Sequence, residues 1–355
     1  MTDLVSICIP AYNNEKDIKG TLESLLEQTY KNIEIVVVDD ASTDSTAAIV
    51  ESIKDDRIHL YRNEKNLGMA GNWNRCVELA KGEYIKLICA DDRLVPESIE
   101  MESKAMQKDP DIVMTINDSI MINREGKKLG IFGRYPKKGI QDGKKLARKS
   151  MIYNNYFGMP CAVMFRKSVF EKAGGFDPAY RYILDFDLWM SMAPFGRVDV
   201  LKEKLNYFML REDSNTGKVM SKEKKAYFEE HVYLLRKNAD RLSLQELSAA
   251  IKDLVSRART GKLLTEEYAG GTFTVSNLGM YGITSFNPII NQPESMILGV
   301  CAVEQVLRMS PRGIEARDMM GLSLTFDHRL HDGAQAAAFL QSISKKLEKY
   351  NEEEK

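Results

Sequence analysis

The chain has 355 residues, 44% of them apolar and 28% charged, with a net charge of −1. That length accommodates two domains, and the balance is ordinary for a folded globular protein. The near-zero charge excludes a global field that would draw the chain to nucleic acid, and no apolar run reaches the roughly 18 residues of an integral membrane span.

Five cysteines, Cys8, Cys76, Cys89, Cys161 and Cys301, are scattered without a CxxC pair. This pattern points to packed thiols in a reducing compartment rather than to disulfides or zinc. The opening MTDLVSICIP lacks a basic stretch followed by a long apolar one, so no secretory leader is expected. The expected location is cytoplasmic. A membrane-peripheral alternative rests on basic stretches such as 135–150, for which a solvated surface is the simpler reading.

In chain order, LVSICIP reads as a buried strand, and residues 15–29 carry Ile18, Leu22, Leu25 and Leu26 at helical spacing. IEIVVVDD is a second strand, TAAIVESIK a helix and IHLYR a third strand. AGNWNRCVELAKG is a helix with Gly82 as its expected C-cap. EYIKLICADD is a fourth strand, and PESIEMESKAMQK a helix opened by proline. Strands alternating with helices predict a mostly parallel α/β sheet with helices on both faces and a ligand site at the strands' carboxyl ends. Asn13, the pair Asp39–Asp40 and the pair Asp91–Asp92 fall at those ends.

Residues 125–160 read as a polar, irregular surface stretch. SVFEKAGGFDPAY and LDFDLWMSMA predict helix, turn and helix, and KLNYFMLRED a strand. Two amphipathic helices follow, ending at Gly261, and the texture then changes to three strand-like segments and a closing helix, GAQAAAFLQSISKKLEKY. Trp73 and Trp189 are expected in the core, and Asp187 as a capping or pairing residue.

Sugar transfer from a nucleotide diphosphate needs a base pocket, charge to neutralise the diphosphate and a base for the acceptor hydroxyl. Tyr12 is suited to stack on a pyrimidine and Asp40 to accept its ring N–H. The CADD carboxylates suit a hard divalent ion bridged to phosphates, and Asp185 suits the acceptor proton. Taken singly, an Asp–Asp pair after a strand is more often a turn or a cap. The ordered set outweighs that reading.

VSICIPAYNNEKDIKGTLESLLEQTYKNIEIVVVDDASTDST, NLGMAGNWNRCVELAKGEYIKLICADD and KAGGFDPAY…LDFDLW together resemble the family 2 glycosyltransferases, inverting enzymes of the GT-A fold. The likeness covers roughly residues 4–215. It implies a uridine or thymidine pocket lined by Pro10, Tyr12 and Asp40, and a DxD-type motif at Asp91 and Asp92, with Asp92 the direct ligand of Mn²⁺ or Mg²⁺. It also implies Asp185 as catalytic base, a UDP- or dTDP-sugar donor and a hydroxyl acceptor, glycan or lipid-linked. Two departures stand out. Leu184 replaces a frequent Glu beside the base, and Glu212–Asp213 follow Arg211 where many members carry Arg-x-His, with Asp213 a conceivable substitute.

Near the other end, EEYAGGTFTVSNLGMYGITSFNPIINQPESMILGV and LSLTFDHRLHDGAQAAAFL closely resemble the catalytic domain of the dihydrolipoamide acyltransferases of 2-oxo-acid dehydrogenase complexes, from about Leu244 to Tyr350. The resemblance maps DHRxxDG onto Asp327, His328, Arg329, Asp332 and Gly333. It implies His328 as base, Ser276 as oxyanion donor, Asp332 in support, and coenzyme A as cofactor should the segment act. It covers only the second half of a chloramphenicol-acetyltransferase-like α+β domain whose site lies between subunits. An alternative gives His328, His331 and Asp332 to a small metal site. The expectation is a chimera, with a glycosyltransferase domain over 1–240 and a partial acyltransferase domain over 241–355. The second part is expected to be catalytically silent, with coenzyme A-dependent acyl transfer or oligomerisation as its alternatives.

Overall fold

Runs of β-branched residues that are buried along their whole length form the centre of the sheet: β1 (Val5–Ala11) and β2 (Ile33–Asp39), paired in parallel from Val5–Ile33 to Ala11–Asp39. The structure, a computed structural model, describes residues 3–133, 137–152, 155–211, 224–238, 244–263, 273–292, 294–310 and 313–353. It divides into two units, Met1–Gly261 and Lys262–Lys355. The expected junction at 238–245 includes residues 239–243, which are outside the described set.

In the first unit, β3 (Ile58–Arg62) and β4 (Tyr84–Leu87) join in parallel, giving the order β3-β2-β1-β4. The sheet continues through β9 (Val163–Arg166), antiparallel to both neighbours, to β6 (Ile112–Ile122) and β10 (Arg197–Met209), which are parallel to each other, and ends on the short β5 (Arg93–Leu94), antiparallel to β10. The result is the expected large, mainly parallel sheet with flanking helices. Successive strand residues point to opposite faces, so the sheet carries two cores. Cys8, Val36, Val38, Ile85 and Leu87 face α3 (Gly68–Leu79), α6 (Lys167–Ala173) and α7 (Leu184–Met192). Ile7, Ile9, Ile35 and Val37 face α1 (Ile18–Leu26), α2 (Thr46–Ser52) and α4 (Ser98–Gln107).

Two expectations are corrected. Helix α3 ends at Leu79 with Ala80 already extended, so Gly82 is not its C-cap. Its role is close approach: its N–H donates to Ser6 Oγ at 2.7 Å, and a Cβ there would sit 2.6 Å from the Leu4 carbonyl oxygen. The stretch 125–160 is not irregular throughout. It contains β7 (Lys128–Phe132) on β6, β8 (Gly139–Asp142) on β10, and α5 (Gly143–Ile152), which buries Leu146 and Ala147. Short edge strands with one solvent face are polar enough to read as loop.

Under the sheet, Lys86 and Glu102 form a fully buried ion pair at 2.7 Å. Asn117 donates to the same carboxylate oxygen at 2.8 Å and accepts from Asn206 at 2.7 Å. Burial pushes the Glu102 carboxyl up, and Lys86 opposes that shift. The network ties β4, α4, β6 and β10 together below the strand ends.

The first unit also contains α8 (Lys224–Lys237) and α9 (Leu244–Arg259). The second unit is a three-stranded sheet, β11 (Phe273–Asn277) parallel to β12 (Met296–Ser310), which pairs antiparallel with β13 (Gly313–Phe326), followed by α10 (Gly333–Glu353). No helix among the described residues is long and apolar enough to cross a membrane.

Candidate active site

The carboxyl ends of β1 and β2 are shaped by two non-glycine residues in the left-handed region, Asn13 (φ 52°) and Ala41 (φ 57°). Such conformations are costly and persist where surrounding contacts over-determine them. Here the two loops are stitched together: Asn13 N–H donates to Ser42 Oγ, and Thr43 N–H to Asn13 Oδ1, both at 2.9 Å. They border a cleft of about 470 Å³.

Pro10, Tyr12 and Asp40 all line this cleft. Pro10 lies beyond the last β1–β4 rung, Cys8–Leu87, where its missing N–H costs that pairing nothing. Tyr12 is half exposed at the rim, a ring available for stacking. Asp40 is buried, and its Oδ1 accepts from Asn63 Nδ2 and the Leu67 N–H, each at 2.8 Å, while Oδ2 accepts the Gly68 N–H at 3.1 Å. Two of these donors belong to the start of α3, a favourable place for a carboxylate. A carboxylate has about four acceptor positions, so Asp40 retains room for one more donor.

Asp91 and Asp92 diverge. Asp91 is on the cleft wall, 2.9 Å from Arg211 Nε, and Arg211 also reaches Asp17 at 3.3 Å. Asp92 does not line the cleft. It is turned beneath it, 1% exposed, with Oδ1 accepting the Met209 N–H at 2.9 Å. Burial, and then the neighbouring Asp91, push its carboxyl well above the usual range. Asp92 Oδ2 has no hydrogen-bond partner among the described residues. Cys89, Asp91 and Asp92 bring ligand atoms within 4.8 Å of one another, and no other such group occurs among the described residues. His328, His331 and Asp332 are therefore not gathered into a comparable group.

Asp185, in the first turn of α7, faces the same cleft from across the chain, with Arg181 and Tyr182 beside it. Its Oδ1 accepts the Phe186 N–H at 2.8 Å. Burial raises the Cys89 thiol, and the fields of Asp92, Asp91 and Asp185 raise it further, which marks these groups as neighbours. Trp73 packs edge-on against Phe176 at 5.0 Å as a core residue and also contributes to the wall. Trp189 is fully buried, and Asp187 pairs with Lys237 at 2.9 Å. The structure thus brings Pro10, Tyr12, Asp40, Asp91 and Asp185 together, with Asp92 behind the wall. Asp213 lies outside the described residues. Sequence reasoning missed Arg181, because a lone arginine before a helix carries no pattern, and it noted Arg211 only as the start of an altered Arg-x-His position, not as a site residue.

The acyl-transfer residues are arranged differently. Ser276 pairs through Gly299 with Ser323, three rungs inside the edge rung Phe273–Met296–Phe326. His328 lies two residues past Phe326, beyond the opposite end of that interval, exposed and against the Phe326 ring at 5.4 Å. No hydrogen bond among the described residues joins His328 to Ser276. Asp332 is exposed and caps α10 by accepting the Gln335 N–H at 2.8 Å. Asp327 is held by Arg329 hydrogen bonds at about 2, below the usual carboxylate range.

Comparison with known proteins finds two families along the chain. Residues 6–174 match the family described as glycosyl transferase family 2, and residues 235–353 the 2-oxoacid dehydrogenases acyltransferase catalytic domain. An uncharacterized protein of Mycobacterium tuberculosis is 33% identical over 226 residues, spanning 61% of this chain and 70% of its own length. The acetyltransferase component of the Rickettsia felis pyruvate dehydrogenase complex is 44% identical over 112 residues, 32% of this chain but only 27% of that protein. The chain therefore spans about a quarter of the acyltransferase relatives it matches. Among solved structures, Staphylococcus aureus TarS superposes with a TM-score of 0.54 at 20% identity, covering 76% of this chain and 45% of TarS. A TarS fragment in complex with UDP-GlcNAc gives 0.52 at 22% identity, covering 74% and 77%. At these identities the likeness concerns the fold.

Proposed function

We infer, for a chain that belongs to glycosyl transferase family 2 over residues 6–174 and carries an acyltransferase catalytic-domain segment over 235–353, that its cleft moves a sugar from a UDP- or dTDP-sugar to a hydroxyl acceptor with inversion. The observation that carries this reading is one cleft shared by the carboxylates of Asp40, Asp91 and Asp185 and the guanidinium of Arg211. Tyr12 stacks on the pyrimidine, and the open acceptor position of Asp40 takes its ring N–H. Asp185 removes the acceptor hydroxyl proton as that oxygen attacks the anomeric carbon from the face opposite the leaving diphosphate. Arg211, already paired with Asp91, adds positive charge where the diphosphate departs. The TarS fragment complexed with UDP-GlcNAc supports a uridine donor.

A divalent cation fits the donor set. Mn²⁺ and Mg²⁺ take oxygen ligands, commonly one or two carboxylates with substrate phosphates. Asp91 on the wall and Asp92, with its unpartnered Oδ2, would hold it. When bound, the ion neutralises the departing diphosphate. The half-buried Cys89 thiol is a poor partner for so hard an ion.

The test is release of nucleoside diphosphate from UDP- and dTDP-sugars, with and without Mn²⁺. Asp185→Asn is expected to lower kcat by about 10²- to 10⁴-fold with nucleotide binding retained. A folded chain that binds no nucleotide sugar, metal present, overturns the reading.

For the second unit, we propose assembly rather than catalysis. Val303, Leu307, Met309 and Ile314 on β12 and β13 are 62–82% exposed, with Met309 and Ile314 paired across the two strands. Sedimentation of the full chain above monomer mass supports oligomerisation. Acetyl transfer from acetyl-coenzyme A to dihydrolipoamide that is lost in His328→Ala restores the catalytic alternative.

A further inference from the structure

The N-cap residue of α7, Ile183, offers no side-chain acceptor, and in the first turn Asp185 takes the Phe186 amide. The first amides of a helix need acceptors, and leaving them buried and unpaired is costly. For the N-cap amide of Ile183 and the two amides that lead into it, the acceptor comes from another helix. Glu230 on α8 takes the Arg181 N–H on Oε1 at 2.7 Å, and the Tyr182 and Ile183 N–H groups on Oε2 at 2.8 and 3.1 Å. One turn further along α8, Leu234 is 1% exposed and belongs to the same apolar cluster as Tyr180, Ile183 and Leu184. Two turns along, Lys237 Nζ grips both oxygens of Asp187, at 3.0 and 2.9 Å, and reaches Asp177 at 3.3 Å. The clamped segment is the one that presents Arg181, Tyr182 and Asp185 to the cleft.

We propose that α8 completes the glycosyl-transfer site, with Glu230 a positioning residue that fixes the Arg181–Ile183 main chain and thereby aims the Asp185 carboxylate. The proposal rests on the glycosyl-transfer reading above. It extends the working site past residue 174, where the family match ends, to a helix whose last turn overlaps the start of the acyltransferase match at 235. The carboxylate matters because two oxygens serve three amides, and a single amide oxygen cannot hold both ends of that set.

The experiment compares the full-length chain with Glu230→Ala and Glu230→Gln. Two readouts are used: hydrogen exchange of the 181–183 amides, and UDP-sugar turnover beside calorimetric UDP binding. In Glu230→Ala the three amides are expected to lose protection, kcat to fall about 10- to 100-fold and the UDP dissociation constant to move less than twofold. Glu230→Gln is expected to restore part of both. Unchanged exchange at 181–183 overturns the cap, and lost protection with unchanged kcat overturns the positioning role. If Glu230→Ala does not fold, the Gln variant decides by the same readouts. A native chain that neither binds UDP nor turns over donor removes the functional reading and the positioning role together. Protected amides would then leave Glu230 as a structural cap alone.

Discussion

The two units of this chain carry family motifs of similar specificity, yet they differ in what surrounds those motifs. In the first unit the motif residues stand on strands and helices packed into two apolar cores, one on each sheet face. In the second, buried apolar side chains among the described residues include Met296, Ile297, Leu298, Cys301 and Ala336, while most of the exposed large hydrophobics among the described residues belong to β11–β13, their loops and α10. A motif supplies chemistry only where a packed frame aims it. Asp40 is held by three donors and shares a cleft with Asp185, whereas His328 stands exposed outside the sheet rung that leads to Ser276.

The comparison can be broken most severely at the catalytic base, where the Asp185→Asn loss of kcat should have no counterpart in His328→Ala. Next is the frame itself. Lys86→Met strands the Glu102 carboxylate and should cost the first unit about 3–5 kcal/mol in urea unfolding. Leu307→Glu, at a 70% exposed position, should change unfolding by no more than about 0.5 kcal/mol while lowering the assembled fraction in sedimentation. A large stability loss in Leu307→Glu would mean the second unit has a core that its surface does not reveal. Asp40→Ala falls between these, leaving the Leu67 amide without its acceptor and the Gly68 amide with Asn66 Oδ1. Thermal unfolding should show a loss of about 1–3 kcal/mol, with UDP binding weakened.

The smallest expected effect is an acid limb. Hydrogen bonds from Arg57 hold Asp55 at about 2, below its unfolded value. Its stabilisation is therefore present above the ordinary carboxylate range near 3.8 and is lost as pH falls towards 2. Asp55→Asn should flatten the unfolding free energy between pH 4 and 2, and an unaltered slope would assign the acid sensitivity elsewhere.

Much of the fold was legible in residue patterns. Alternating buried strands and helices, the aspartates at strand ends and the change of texture past residue 261 all depend on local periodicity, which backbone geometry imposes within a few residues. What the patterns misread depended on partners far along the chain. Gly82 looked like a helix cap because the Leu4 carbonyl that crowds it is distant in sequence. Strands β7 and β8 looked like loop because only pairing with β6 and β10 makes them strands.

By itself, then, the order of residues determined the two fold families, the parallel sheet and the set of carboxylates available for chemistry. Tertiary structure alone decided that Asp91 rather than Asp92 faces the cleft, that Arg211 stands against it, and that Glu230, 49 residues from Arg181, holds the amides that lead into the helix bearing Asp185. The physical reason is directional. A side chain's chemistry is written locally, but where it points and what it meets are set by packing between elements that the chain brings together only on folding.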